Sequence, residues 1–82
     1  MRRWFFSTRA ARSYAQVTFE LGDMLVFGKE TKGLPAELIA REAENALRIP
    51  MRKDSVRSIN LSTAVGVVTY AALQQLDFPG LQ

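Results

Sequence analysis

The stretch LVFGKETKGLP, residues 25–35, opens as a short apolar run and breaks at Gly28. It then passes through polar residues to Gly33 and ends at Pro35. With Met24 the uninterrupted apolar run spans 24–27 and reads as a strand covered on both faces. A proline just past a turn suits the first position of a helix, where its missing N–H costs nothing. The stretch therefore predicts strand, loop and helix in that order. A second stretch, RIPMRKDSVRSINLS at residues 48–62, repeats the plan. A short strand over 47–49 stops at Pro50, a loop follows over 51–60, and a long periodic segment begins at Leu61.

Working outward, RWFFS at residues 3–7 reads as a strand through its aromatic content. Residues 8–13 are a polar, basic connection, and 14–19 alternate loosely as a short extended segment. Residues 20–23 form a turn on Gly22 and Asp23. The first helix is expected over 35–46, with Leu38, Ile39, Ala43 and Ala46 on one stripe and Glu37 suited to its start. The second helix is expected over 61–76, with Ala64, Val65, Val68, Ala72, Leu73 and Leu76 on a broad apolar face that Val67 and Ala71 extend. Phe78, Pro79 and Gly80 end it. Strands alternating with helices indicate an α/β unit with a parallel sheet. Ligands of such sheets lie beyond the carboxyl ends of the strands, where both loops fall.

Length and composition bound the rest. The chain has 82 residues, enough for one small domain spanning 1–82, and 48% of them are apolar, which excludes a disordered composition. It contains no cysteine and no histidine, so disulfides and thiolate or imidazole metal sites are excluded. A core this small calls for a partner or for further polypeptide. The formal charge is only +3, but the charges cluster. Arg2, Arg3, Arg9 and Arg12 precede any acid, and Lys29, Lys32, Arg48, Arg52, Lys53 and Arg57 crowd the two loops. That distribution fits a phosphate-rich partner, although surface arginines are ordinary in small domains. No run approaches the ~20 apolar residues of a membrane span. The apolar run behind the first arginines is too short for a secretory signal, and a buried strand is the better reading.

The loops limit the chemistry. GKETKG lacks the Gly-Lys-Ser/Thr ending of a triphosphate loop, and the GxGxxG dinucleotide pattern is also missing. Gly28 can permit a positive φ or close approach of a ligand, or it can be plain turn chemistry; Gly33 has the same two readings. Glu30 can accept hydrogen bonds from loop backbone, pair with Arg57, or stay solvated. Ser58 or Asn60 can cap the last helix, whose free N–H groups could instead face a ligand carboxylate. A catalytic serine has no histidine to activate it. Ile49 and Met51, either side of Pro50, can wall an adenine or simply fill the core. Tyr70 lies mid-helix and can present its hydroxyl at a surface.

The strings LVFGKETKGLP, RIPM and RSINLSTAVGVVTYAALQQ together resemble the SpoU-like branch of the SPOUT RNA methyltransferases, from about residue 2 to residue 80. Within that branch they are most similar to enzymes that methylate the ribose 2′-hydroxyl of nucleotide 34 in tRNA. The resemblance implies an α/β fold with a C-terminal trefoil knot, a homodimer, a cytoplasmic enzyme and bent S-adenosylmethionine among the knot loops. Carried over by position, Phe6, Gly28, Ile49 and Ser58 are the expected cofactor-binding residues, with Ile49 at the adenine. Glu30, Gly33, Leu34, Pro50, Met51, Asn60 and Ser62 shape the loops, and Tyr70 is the expected catalytic or substrate-contacting residue. The expected partner is a tRNA anticodon loop, with neither metal nor membrane.

Methyl transfer to a ribose needs an aligned oxygen and a route for its proton rather than a metal, which agrees with this composition. The family pattern also contains an N-terminal half with a phosphate-positioning arginine. The chain is therefore expected to represent the C-terminal half, with little or no activity alone. The loop at 51–62 reads one residue longer than its nearest counterparts. A non-catalytic RNA-binding or oligomerisation module derived from the family is the competing expectation.

Overall fold

The computed structural model describes residues 2–29, 32–50 and 60–81. Four strands, β1 (Arg3–Phe6), β2 (Arg12–Ser13), β3 (Met24–Val26) and β4 (Ala46–Arg48), form one sheet in the order β2-β4-β1-β3. Every pairing is parallel, as the alternation of strands and helices predicts. Two helices, α1 (Ala36–Arg41) and α2 (Leu61–Gln75), cover opposite faces.

The aromatic run Trp4-Phe5-Phe6 explains the layering. Successive side chains on a strand point to opposite faces. Trp4 and Phe6 pack with Leu47, Phe19, Val17 and Val68 of α2, and Leu25 joins them. Phe5 packs the other way, with Ala46, Ala10 and Ile39 of α1, and Val26 and Leu34 border that layer. The register makes this continuous: Phe5 lies opposite Val26 on one side and Ala46 on the other. Burying side chains of this size contributes roughly 1.5–3 kcal/mol each. Leu47 and Val68 are fully enclosed.

Several elements differ from the sequence expectation. Residues 14–19 are not extended throughout, because Ser13 caps a 3-10 turn at Tyr14–Gln16. The Ser13 hydroxyl accepts from Ala15 N–H at 3.1 Å, and the Gln16 side chain accepts from Ser13 N–H at 2.7 Å. The first helix is half its expected length. α1 stops at Arg41, a 3-10 turn at Ala43–Asn45 follows, and Ala46 already belongs to β4. Pairing of Ala46 with Phe5 overrides its helical propensity. β3 is not covered on both faces either. It is the outermost strand on its side, Met24 is 43% exposed, and Leu25 and Val26 are half-buried.

α2 keeps its expected bounds to within a residue. Val68 faces the core, Ala64, Ala72, Leu73 and Leu76 are half-buried, and Val65 and Val67 are exposed, so only part of the expected apolar face is used. At its end, Phe78 N–H donates to the Leu73 carbonyl and Asp77 N–H to the Gln74 carbonyl. That is a Schellman closure, with Asp77 in the left-handed position that glycine usually takes. The Gln75 amide accepts from Phe19 N–H at 2.7 Å and donates to the Val17 carbonyl at 3.1 Å. It thereby fastens α2 to the segment before β3.

The amino ends of β1 and β3 are joined by one carboxylate. Asp23 accepts from Arg2 at 2.8 and 3.1 Å, from the Trp4 indole N–H at 2.9 Å and from Glu20 N–H at 2.9 Å. The Arg2 guanidinium also donates to the Thr18 carbonyl and lies 5.0 Å from the Trp4 ring centre. The Arg2 hydrogen bonds lower the Asp23 pKa from 3.8 to about 2, against the opposing effect of desolvation. A carboxylate whose folded pKa lies below its unfolded value stabilises the fold above that unfolded value. The contribution is lost as pH falls from about 3.8 through about 2. Asp23→Asn is expected to cost about 1–3 kcal/mol at neutral pH, because donors at the site lose their partner. It should also flatten the acid limb of the stability curve. Urea unfolding of both proteins between neutral and acid pH checks this; an unchanged acid limb would contradict it.

Candidate functional site

The carboxyl ends of β1, β3 and β4 converge. Phe6 closes β1, Phe27 and Gly28 follow β3, and Ile49 follows β4. Phe6, Phe27 and Ile49 belong to one apolar cluster with Leu47. The Phe6 and Phe27 rings lie 4.7 Å apart and within 10° of parallel. The structure therefore gathers three of the five expected site residues, Phe6, Gly28 and Ile49, at the end of the sheet where ligands of parallel sheets lie. The Phe6, Phe27 and Ile49 side chains are apolar, and the chain leaves each strand end there as loop backbone. A flat heterocycle against the side chains with its edge toward the backbone fits this combination.

At Gly28 the positive φ is not used, and the group that approaches it is the chain itself. A Cβ there would lie 2.1 Å from the Gly33 carbonyl carbon and 2.3 Å from the Leu34 nitrogen. The loop folds back so that Gly33 N–H donates to the Lys29 carbonyl at 2.8 Å, with Lys29 and Gly33 forming an antiparallel bridge. Gly33 supplies the left-handed turn, at φ +67°. Gly28 thus shapes the loop by leaving room for the returning strand. Gly28→Ala is expected to force that return apart. Amide exchange at Gly33 should accelerate at least about tenfold, because an open loop no longer protects the bond to Lys29. Exchange at the wild-type rate would contradict the crowding.

The remaining expected residues divide. Asn60 is the cap of α2: its side-chain oxygen accepts from Ser62 N–H at 2.8 Å and Thr63 N–H at 3.4 Å. Two of the helix's free donors are therefore used within the chain. Ser58, Glu30, Met51 and Arg57 lie outside the described residues. Tyr70 is 60% exposed and does not join the Phe6–Ile49 cluster. It sits about 15 Å along α2 from Asn60, ten residues at 1.5 Å each. Its ring is 6.5 Å from that of Phe78.

Two of the early arginines do not offer themselves to a phosphate. Arg2 is engaged with Asp23 at the opposite end of the sheet, and Arg12 donates to the Glu44 carbonyl. Arg9 is exposed in the turn after β1, where its N–H donates to the Ser7 hydroxyl at 3.1 Å. Arg9, Lys29, Lys32 and Arg48 form no ion pair among the described residues. Phe27 was not singled out by the sequence. The two-residue alternation from Leu25 would have marked it, since it must share Leu25's face. Among the described residues no group of acidic side chains could hold a metal ion, and no helix is long and apolar enough to cross a membrane.

Comparison with known proteins gives a consistent result. The SpoU rRNA Methylase family matches over residues 2–70. A tRNA (cytidine(34)-2'-O)-methyltransferase of Escherichia coli K12 is 48% identical over 80 residues, covering 96% of this chain and 50% of that protein. The protein of the same description from Saccharophagus degradans is 46% identical, covering 96% of this chain and 51% of its own length. A solved structure concerned with the 2-OH methylation of C/U34 on tRNA superposes with a TM-score of 0.84 at 46% identity, over 93% of this chain and 48% of the other. The chain spans about half the length of the curated relatives it matches.

Proposed function

The chain belongs to the SpoU rRNA methylase family, and from that premise we propose that it supplies the cofactor-binding half of a tRNA ribose 2′-O-methyltransferase acting at nucleotide 34. The observation that carries the reading is the convergence of Phe6, Gly28 and Ile49 at the carboxyl ends of three parallel strands. The relatives' description supplies the substrate, a tRNA nucleoside at position 34. S-Adenosylmethionine supplies the methyl group in such a reaction.

In this reading the chain's own residues bind and orient. Phe6 and Ile49 flank the adenine with apolar surface, and the backbone after β4 reads its edge. The backbone of Gly28, Lys29, Gly33 and Leu34, closed by the Gly33–Lys29 hydrogen bond, holds the rest of the cofactor in a bent shape. Ser58 contributes from the approach to α2. Arg9, Lys29, Lys32 and Arg48 border the same end of the sheet and suit the phosphates of an anticodon loop. Tyr70 stands away from this cluster, so its catalytic or substrate-contacting role falls to the site of a second copy. A homodimer would also cover the exposed Val65 and Val67 of α2. A knotted C-terminal arrangement and a cytoplasmic location, where tRNA is found, belong to the same proposal.

Calorimetric titration of the full chain with S-adenosylmethionine tests the reading. Saturable binding is expected, and ligand at a hundred times its Kd should stabilise the fold by about 2.7 kcal/mol. A folded chain that neither binds nor gains stability overturns it. Tyr70→Phe should leave the Kd within about twofold, since the residue is remote from the cluster, while methyl transfer to a tRNA by the assembled enzyme falls. A Kd raised about tenfold, or 1.4 kcal/mol, would place Tyr70 at the cofactor instead.

A further inference from the structure

The β1–β3 ladder ends early. Its last register partners are Phe5 and Val26. On the other side of β1 the pairing continues one residue further, to Phe6 opposite Leu47, and Ser7 N–H then donates to the Leu47 carbonyl at 2.9 Å. Phe6 therefore has a register partner on the β4 side and none on the β3 side. On the β3 side the next residue in line is Phe27, already past the strand. What joins these two is the stacked pair of rings, 4.7 Å apart at 10°. The pair carries the β1–β3 spacing one residue beyond the last ladder partners, to the residue that precedes Gly28.

We propose that Phe27 is a positioning residue for the adenosyl ligand: its ring, stacked on Phe6, sets the separation between the Phe6 and Gly28 backbones. The inference rests on the cofactor reading given above and extends it to a residue that reading does not use. Phe27 itself touches Phe6 and the apolar cluster. It acts through them and takes no part in the chemistry. Its position follows from elementary constraints. A backbone leaving a sheet has no hydrogen-bond partner to keep its register. Gly28, with no side chain, cannot supply one. The last side chain before the glycine is the only one on β3's path that can lock the exit, and an aromatic ring facing another ring does so with a preferred geometry.

The experiment is a binding titration of the full chain with S-adenosylmethionine and with S-adenosylhomocysteine, paired with thermal unfolding. Phe27→Leu retains apolar bulk and loses the stack; it should weaken both ligands about tenfold. Phe27→Tyr retains the ring and should bind within about twofold of wild type. Ile39→Val, in the layer on the opposite face of the sheet, controls for general loosening; it should lower the melting temperature without moving either Kd. Phe6→Leu combined with Phe27→Leu should weaken binding no further than the worse single variant, since both remove one stack. If Phe27→Leu does not fold, Phe27→Met takes its place with the same expectation. Wild-type affinity in the leucine or methionine variant overturns the inference and leaves the cofactor reading standing. So does a loss of affinity that Ile39→Val reproduces at an equal drop in melting temperature. Absence of binding by the folded wild type overturns the cofactor reading, and this inference with it.

Discussion

β1 is paired on both sides, and its three aromatic residues feed both layers of the molecule. Trp4 and Phe6 reach α2, while Phe5 reaches α1 between Val26 and Ala46. β4 also has a neighbour on each side, but Leu47 is its only large apolar side chain. The two helices are held through β1, and the ends of β3 and β4 are referenced to it. In a domain with so little interior, that arrangement concentrates the hydrophobic contribution in one strand of four residues.

The organisation of the fold was legible because period-two and helical patterns are local signals. Met24–Val26, Ala46–Arg48 and Leu61–Gln75 fall within a residue or two of where the sequence sets them. What was not legible depended on partners distant in sequence. Ala43 and Ala46 fit a helical stripe, but Ala46 pairs with Phe5, forty-one residues earlier by number, and the helix yields. Residues 24–27 read as fully covered because an apolar run carries no information about its neighbours; in the sheet Met24–Val26 form an edge strand. Asp23 read as a turn residue, and only the fold brings it to Arg2 and Trp4.

For the candidate residues, position at the strand ends was legible along the chain and local cause less so. Phe6, Gly28 and Ile49 do meet at the strand ends. Gly28, however, is required by the backbone of its own loop, through Gly33 and Leu34, where the sequence suggested a ligand or a turn angle. Asn60 was one of two candidates for the helix cap and performs that role. Tyr70 shares the chain with Phe6 and Ile49 and not their cluster, a separation that a linear motif cannot express.

The Arg2–Asp23–Trp4 network and the Phe6–Ile49 cluster occupy opposite ends of the same short strand. Trp4 belongs to both, since it donates to Asp23 and packs in the same apolar cluster as Phe6. Residues that share packing partners couple in free energy. Loosening the ionic clamp at the amino pole therefore reaches the stacked rings at the carboxyl pole through a single side chain.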